Sequence, residues 1–70
     1  MLILSQDKEL CVNMDNVERL IVFGGEICAI FKGIDNSEVL SAYNTDEEAK
    51  KVLKDILTAY SNGEKVYIMP

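Results

Sequence analysis

Two apolar runs joined by a pair of glycines, LIVFGGEICAIF at residues 20–31, constrain this sequence more than any other stretch. Glycine tolerates the positive φ angles of a two-residue hairpin turn, so Gly24-Gly25 predicts two antiparallel strands. This turn places Phe23 opposite Glu26, and the residues on either side pair in the same register. The further predicted pairs are Val22–Ile27, Ile21–Cys28, Leu20–Ala29 and Arg19–Ile30.

The paired strands have two faces, and both are apolar in the middle. The inner face consists of Leu20, Val22, Ile27, Ala29 and Phe31. The outer face consists of Ile21, Phe23, Cys28 and Ile30, and it is edged by Arg19, Glu26 and Lys32. An antiparallel sheet with one solvated face alternates apolar and polar residues, so these strands are predicted to need a cover on both sides.

A single amphipathic helix is predicted to supply the cover for the inner face. Thr45 followed by Glu48 three residues later is a capping box, which marks the start of a helix. Apolar residues then recur at helical spacing, as Ala49, Val52, Leu53, Ile56, Leu57 and Tyr60. Gly63 is the expected left-handed residue that ends the helix.

Shorter segments complete the predicted fold. Met1 to Ser5 reads as an edge or N-terminal strand, Leu10 to Val12 as extended, residues 13–16 as a turn or one loose helical turn, and Lys65 to Ile68 as a last strand. We therefore predict a single α+β domain over residues 1–70. Its antiparallel sheet has about five strands, with one C-terminal amphipathic helix on one face and a short last strand after it.

The strand at Glu38 to Tyr43 is predicted to follow a turn at residues 33–37. A loop of this length places Lys32 opposite Glu38 and Ile30 opposite Leu40. A shift of one residue would move every side chain of this strand to the other face, so the register matters for the composition of both faces.

The outer face has no second helix to cover it. Either the terminal segments, Met1 to Val12 and Lys65 to Met69, fold across it, or a second copy of the chain does so. A chain of 70 residues has few strands to spare, so we favour a homodimer or higher homo-oligomer with Ile21, Phe23, Cys28 and Ile30 at the interface.

Composition excludes several classes of function. With 7 basic and 12 acidic residues the net charge is −5, which opposes general nucleic-acid binding. No apolar run approaches the roughly 20 residues that span a bilayer. The N-terminal residues lack the basic n-region of a secretory signal, so a cytoplasmic location is expected. The chain has no His, and therefore no usual general base near neutral pH and no His-containing zinc site.

The two cysteines are not spaced as metal ligands, and no cofactor is predicted. Cys11 and Cys28 are interpreted as small apolar core residues. Acidic residues at 46–48 are explained by their place in the first turn of the helix, where negative charge is favourable. These observations argue against an enzyme and against a metal site.

Three blocks of sequence suggest a relationship: ILSQD at residues 3–7, SAYNTDEEA at 41–49 and VYIMP at 66–70. In this order, around a strand-rich middle, the chain resembles a family of small proteins common in Firmicutes and their phages. Its layout is also similar to phage anti-defence proteins of the Thoeris-inhibiting sponge type. That resemblance implies a small oligomer that sequesters a nucleotide-derived signal without cleaving it.

Two functions follow as hypotheses. The first is a non-enzymatic, oligomeric protein of a phage or mobile element that captures a small phosphorylated nucleotide in the bacterial host cell. Arg can bind phosphate through two hydrogen bonds and Tyr can stack on a base, which gives the candidate ligand-binding residues Arg19, Lys32, Tyr43, Tyr67, Asn13 and Asn16. The second is a protein-interaction module that inhibits or adapts a host or phage protein through its surface.

Overall fold

A computed structural model of the chain describes residues 1–33 and 35–70, and it confirms the α+β class. The strands are β1 (Leu2–Leu4), β2 (Cys11–Asn13), β3 (Val17–Phe23), β4 (Glu26–Phe31), β5 (Ser37–Ala42) and β6 (Val66–Ile68). One α-helix, α1, spans Asp46–Ser61, and a short 3₁₀ helix spans Met14–Asn16. The strands form two three-stranded sheets, with the orders β2-β1-β6 and β3-β4-β5.

The hairpin of β3 and β4 has the predicted register. Phe23 pairs with Glu26 and Arg19 pairs with Ile30, and the three pairs between them also match. Gly24 and Gly25 have φ angles of +58° and +78°, which explains why glycine occupies both turn positions. The turn chemistry therefore determines which side chains share each face of this sheet.

The predicted register of β5 is wrong. Ile30 lies opposite Ser37, so the predicted pairs Ile30–Leu40 and Lys32–Glu38 do not form. The strand begins at Ser37, inside the segment that the prediction assigned to the loop. Starting the strand earlier shifts every partner on β4.

A β-bulge in β5 adds a second departure from the expected pairing. The register shifts between Ile27 and Cys28, which leaves Leu40 as an extra residue on the β5 side. Leu40 and its neighbour Ser41 are consequently both buried. Ile34, within the predicted turn, lies outside the described residues.

The terminal segments form their own sheet instead of extending the central one. Met1 to Ser5 contains the predicted N-terminal strand, β1, but β1 is not an edge strand, because it lies in the middle of this sheet. It pairs antiparallel with β2 and parallel with β6. The parallel partner comes from the far end of the chain, so no local turn signal reveals it.

One hydrophobic core joins the two sheets and the helix. Its central buried residues are Ile3, Val12, Val17, Ile27, Ala29, Leu40, Ala49, Ile56, Tyr67 and Met69. Leu20, Val22 and Phe31 of the inner face pack against this cluster. Since Ile3, Val12 and Tyr67 belong to the same core as Ile27 and Ala29, the terminal sheet packs on the inner side and does not fold across the outer face.

Helix α1 begins and ends as the sequence predicts. The hydroxyl oxygen of Thr45 accepts a hydrogen bond from the backbone N–H of Glu48 at 3.2 Å. At the other end, Gly63 has a φ of +76°. Its N–H donates to Tyr60, and the N–H of Glu64 donates to Ala59, which is the Schellman arrangement.

The buried side of α1 is narrower than its apolar stripe. Ala49 and Ile56 are buried, but Leu57 and Tyr60 of the apolar stripe are 61% and 58% exposed. The prediction that Leu57 packs against the inner face is therefore wrong. Leu57 lies on the edge of the stripe that faces away from the terminal sheet, whereas Ala59 on the opposite edge packs against the core. Tyr60 lies in the last turn of the helix.

Candidate functional site

The outer face of the central sheet carries several exposed apolar side chains. Register across the three strands sets its residues in three rows. The rows are Arg19–Ile30–Ser37, Ile21–Cys28–Val39 and Phe23–Glu26–Ala42. Apolar side chains thus fill the middle of the face, with Arg19 at one end and Glu26 at the other.

Large apolar side chains on this face are exposed. Phe23 is 76% exposed, Val39 is 49% exposed and Ile21 is 36% exposed. Cys28 is buried between them, and Ile30 is partly buried. Isolated exposed apolar residues are ordinary, but neighbours in adjacent rows form a contiguous patch, and such patches mark interaction sites.

Val39 is a member of the outer face that sequence reasoning missed. Its register partner is Cys28, which places it on the same side of the sheet. The predicted register assigned Val39 to the opposite side, because the loop before β5 was taken as too long. The exposed patch is therefore one strand wider than the hairpin alone.

Cys28 contributes apolar surface to this face, not a reactive thiol. Burial and the nearby charge of Glu26 raise the pKa of the Cys28 thiol above its usual value. A raised pKa keeps the side chain protonated, and the protonated thiol is a poor nucleophile. The interpretation of Cys28 as a small buried residue is confirmed, whereas Cys11 is exposed and its assignment to the core is wrong.

A shallow cleft of about 400 Å³ lies at the Arg19 end of the outer face. It is lined by Glu18, Arg19, Ile30, Gly33, Asp35, Asn36 and Ser37. Its volume lies within the range of roughly 300–1,000 Å³ typical of small-molecule sites. One guanidinium and two carboxylates line it, so an anion would be attracted to the Arg19 side alone.

No ion pair within the described part of the chain involves Arg19. Within residues 1–33 and 35–70, the one ion pair is Lys50 with Glu47 at 3.7 Å, and it lies on the exposed surface of α1. Arg19 therefore has no carboxylate within ion-pairing distance among the described residues. Of the six predicted ligand-binding residues, Arg19 is the one that lines this cleft.

Three of the other predicted ligand-binding residues lie where the 3₁₀ helix meets β4. The side chain of Asn13 accepts a hydrogen bond from the N–H of Asp15 at 3.0 Å, which caps this short helix. The carbonyl of Asn16 accepts from the backbone N–H of Lys32 at 3.0 Å. Asn13 thus has a local structural role, as its position in a turn-rich segment suggests.

The two candidate tyrosines use their hydroxyl groups within the fold. Tyr67 is buried and donates to a carboxylate oxygen of Asp55 at 2.7 Å. Tyr43 donates to the carbonyl oxygen of Pro70 at 2.8 Å. The structure therefore distributes the six candidates over separate places and does not bring them together around one pocket.

A second exposed apolar surface lies on the terminal sheet. Leu2, Val66 and Ile68 are exposed, and Leu2 is the register partner of Val66. Sequence reasoning missed this surface, although Val66 and Ile68 alternate with buried Tyr67 in the way that a half-exposed strand requires.

Comparison with known proteins adds no functional site. No protein-family model, curated protein or solved structure matches the chain. Among the described residues, no group of three or more Cys, Asp or Glu side chains is arranged to hold a metal ion. In the same residues, no helix has the length and apolar character needed to cross a membrane.

Proposed function

We propose that this protein is a non-enzymatic binding protein whose outer face is its interaction surface. The observation that supports this most strongly is the exposure of Phe23, which projects 76% of its surface into solvent from a regular strand. Val39 and Ile21 lie in the adjacent row. Aromatic residues surrounded by smaller apolar ones are typical anchors of protein interfaces.

Neither the helix nor the terminal sheet covers this surface. The helix and the terminal sheet both pack on the inner side, and their buried residues belong to the core with Ile27 and Ala29. Burial of one large apolar side chain is worth roughly 1.5–3 kcal/mol. A partner that covered Phe23, Val39 and Ile21 would regain this energy, partly offset by the entropy lost on association.

The experiment is native mass spectrometry of the tagged protein after gentle purification from bacterial cells. We compare the wild type with Phe23→Ser and with the control Leu57→Ser, which removes another exposed apolar side chain, from α1. The proposal predicts a stoichiometric companion that is lost with Phe23→Ser and retained with Leu57→Ser. A bare single chain in all three samples even at millimolar protein concentration, or a companion that survives Phe23→Ser, would overturn it.

A second candidate function is sequestration of a small phosphorylated nucleotide in the bacterial cytoplasm, as by the phage anti-defence sponges that the sequence resembles. The cleft of about 400 Å³ beside Arg19 favours it. In this function the phosphate binds on the Arg19 side, away from the carboxylates of Glu18 and Asp35. Because the cleft includes Ile30 of the outer face, a partner covering that face would also close the cleft.

Calorimetry with a panel of cyclic nucleotides and cyclic ADP-ribose isomers tests this second candidate. Binding should be lost with Arg19→Gln and kept with Lys54→Gln, which removes a positive charge from the exposed side of α1. An absence of heat with every nucleotide at millimolar concentration would contradict sequestration. It would leave the interaction role of the outer face in place, since that role depends on apolar contacts.

A further inference from the structure

We infer that the partner on the outer face is a second copy of this chain, stacked so that the two sets of strands run antiparallel. This inference deepens the proposed interaction function and depends on it. A two-fold axis in the plane of the interface would pass across the strands at the central row, Ile21–Cys28–Val39. It would set the Arg19 end of each copy over the hairpin end of the other.

Arg19 and Glu26 are the charged residues within the rows of the outer face, and their positions at its two ends select this arrangement. Arg19 lies four residues before Phe23 on β3, so the two ends are about 13 Å apart along the strand. After the two-fold rotation, each Arg19 lies above the partner's Phe23. The partner's Glu26, on the neighbouring strand, lies about 5 Å to the side and within reach of the guanidinium.

Each of these contacts forms twice, as an isologous interface requires. The guanidinium of Arg19 gains a cation–π contact with the ring of Phe23 and an ion pair with Glu26. Neither contact can form within one chain, because Arg19 and Glu26 lie at opposite ends of the face. The exposed aromatic ring and the guanidinium thus complement one another between copies.

The other in-plane orientation is disfavoured by charge. If the two-fold axis ran along the strands, β4 would lie over the partner's β4, and Glu26 would face the partner's Glu26. Like charges opposed in this way repel at an interface. Sheets that stack face to face also keep their strands within roughly 30° of each other, which the antiparallel arrangement satisfies.

The size of the face predicts a weak complex. Three strands and five residue positions cover about 14 Å by 17 Å. This is smaller than the roughly 800 Å² per partner of a standard stable interface. We therefore expect a dimer that dissociates on dilution, and charge reversals should have measurable effects on it.

The test is sedimentation equilibrium of purified protein, with Arg19→Glu, Glu26→Arg and the double reversal that combines them. Each single reversal opposes like charges in both symmetric contacts and should raise the dimer dissociation constant at least about tenfold. The double reversal restores the opposite charges but not the cation–π contact with Phe23, so it should dimerise more tightly than either single reversal and less tightly than the wild type. Lys54→Glu, on the exposed side of α1, is the control and should leave it unchanged.

The outcomes separate this inference from the proposed function. A wild type that stays monomeric at millimolar concentration overturns the second copy as partner. The interaction function then still stands if the native particle contains a different protein that Phe23→Ser removes. A double reversal that dimerises no more tightly than either single reversal overturns the antiparallel arrangement, and circular dichroism confirms that each variant is folded.

Discussion

The backbones of Gly25 and Tyr43 lie against each other at the base of the helix. The N–H of Tyr43 donates to the carbonyl of Gly25 at 2.8 Å, and a Cβ atom on Gly25 would overlap the carbonyl oxygen of Tyr43. The N–H of Gly25 also donates to a carboxylate oxygen of Asp46 at 2.6 Å. The hairpin turn is thereby fixed to the junction between β5 and α1, which orients the outer face relative to the core.

Replacement of the two turn glycines should have unequal effects. Gly25→Ala combines the left-handed strain of about 1–2 kcal/mol with the overlap on Tyr43, and we expect a loss above about 3 kcal/mol in the free energy of unfolding. A Cβ on Gly24 meets no atom within 4 Å, so Gly24→Ala should lose only the strain. Urea denaturation measures both, and equal losses would contradict the close packing at Gly25.

Asp46 should contribute more to stability than Glu47, although both lie in the first turn of α1. Each carboxylate interacts with the helix dipole, but only that of Asp46 accepts the hydrogen bond from Gly25. Asp46→Ala should therefore destabilise the protein by about 1–2 kcal/mol more than Glu47→Ala. Asp46→Asn keeps an acceptor oxygen and should recover much of the difference, whereas equal values for the two alanine variants would rule out this role.

Ionisation of Tyr67 should lower the free energy of unfolding at alkaline pH. Burial and the hydrogen bond to Asp55 raise the pKa of the Tyr67 hydroxyl above its ordinary value. The unfolded state therefore releases the Tyr67 proton at a lower pH than the native state does. The protonated hydroxyl contributes its full stabilisation below about pH 10, and this contribution falls as the pH rises further.

Unfolding by urea between pH 8 and pH 11 measures this contribution. Above about pH 10, the free energy of unfolding should fall by up to about 1.4 kcal/mol per pH unit more in the wild type than in Tyr67→Phe. Tyr60→Phe, at an exposed position, serves as the control. A gap between wild type and Tyr67→Phe that stays constant over this range would contradict the raised pKa.

Neighbouring residues of α1 should differ sharply in their contribution to the core. Ile56 is 1% exposed and Leu57 is 61% exposed. Ile56→Ala should cost about 2–5 kcal/mol, because it leaves a cavity among the sheets and the helix. Leu57→Ala should change the free energy of unfolding by no more than about 0.5 kcal/mol. A comparable loss in the two variants would contradict the orientation of α1 about its own axis.

Local chemistry explains which parts of the fold could be predicted from the sequence. The Gly24-Gly25 turn determines the register of β3 and β4, and the capping residues determine where α1 begins and ends. These features depend on residues close together in the chain. The same holds for the turn-rich segment before β3, which forms the short 3₁₀ helix.

Features that depend on distant residues could not be predicted in this way. The bulge at Leu40 shifts the pairing of β5 with β4 by one residue, and the pattern of apolar residues in the sequence does not predict it. The parallel pairing of β1 with β6 joins opposite ends of the chain. The exposure of Leu57 depends on the position of the terminal sheet. The periodicity of apolar residues in α1 does not indicate that position.

The candidate site was predicted in part. Arg19, Phe23 and Ile21 lie on the outer face as the hairpin register requires, and Val39 was missed because the register of β5 was wrong. Tyr43 and Tyr67 have chemistry suited to a ligand, but their hydroxyl groups bond to Pro70 and Asp55. Which hydrogen bonds a side chain forms within the fold depends on tertiary contacts that residue type alone does not reveal.

The mass of the particle in solution, measured by sedimentation equilibrium from micromolar to millimolar concentration, tests the central claim most directly. The account predicts that the wild type rises from the 7.8 kDa of one chain towards twice that mass, while Phe23→Ser remains at the mass of one chain. A wild type that keeps the single-chain mass at every concentration would contradict it. So would a Phe23→Ser variant that dimerises as strongly as the wild type.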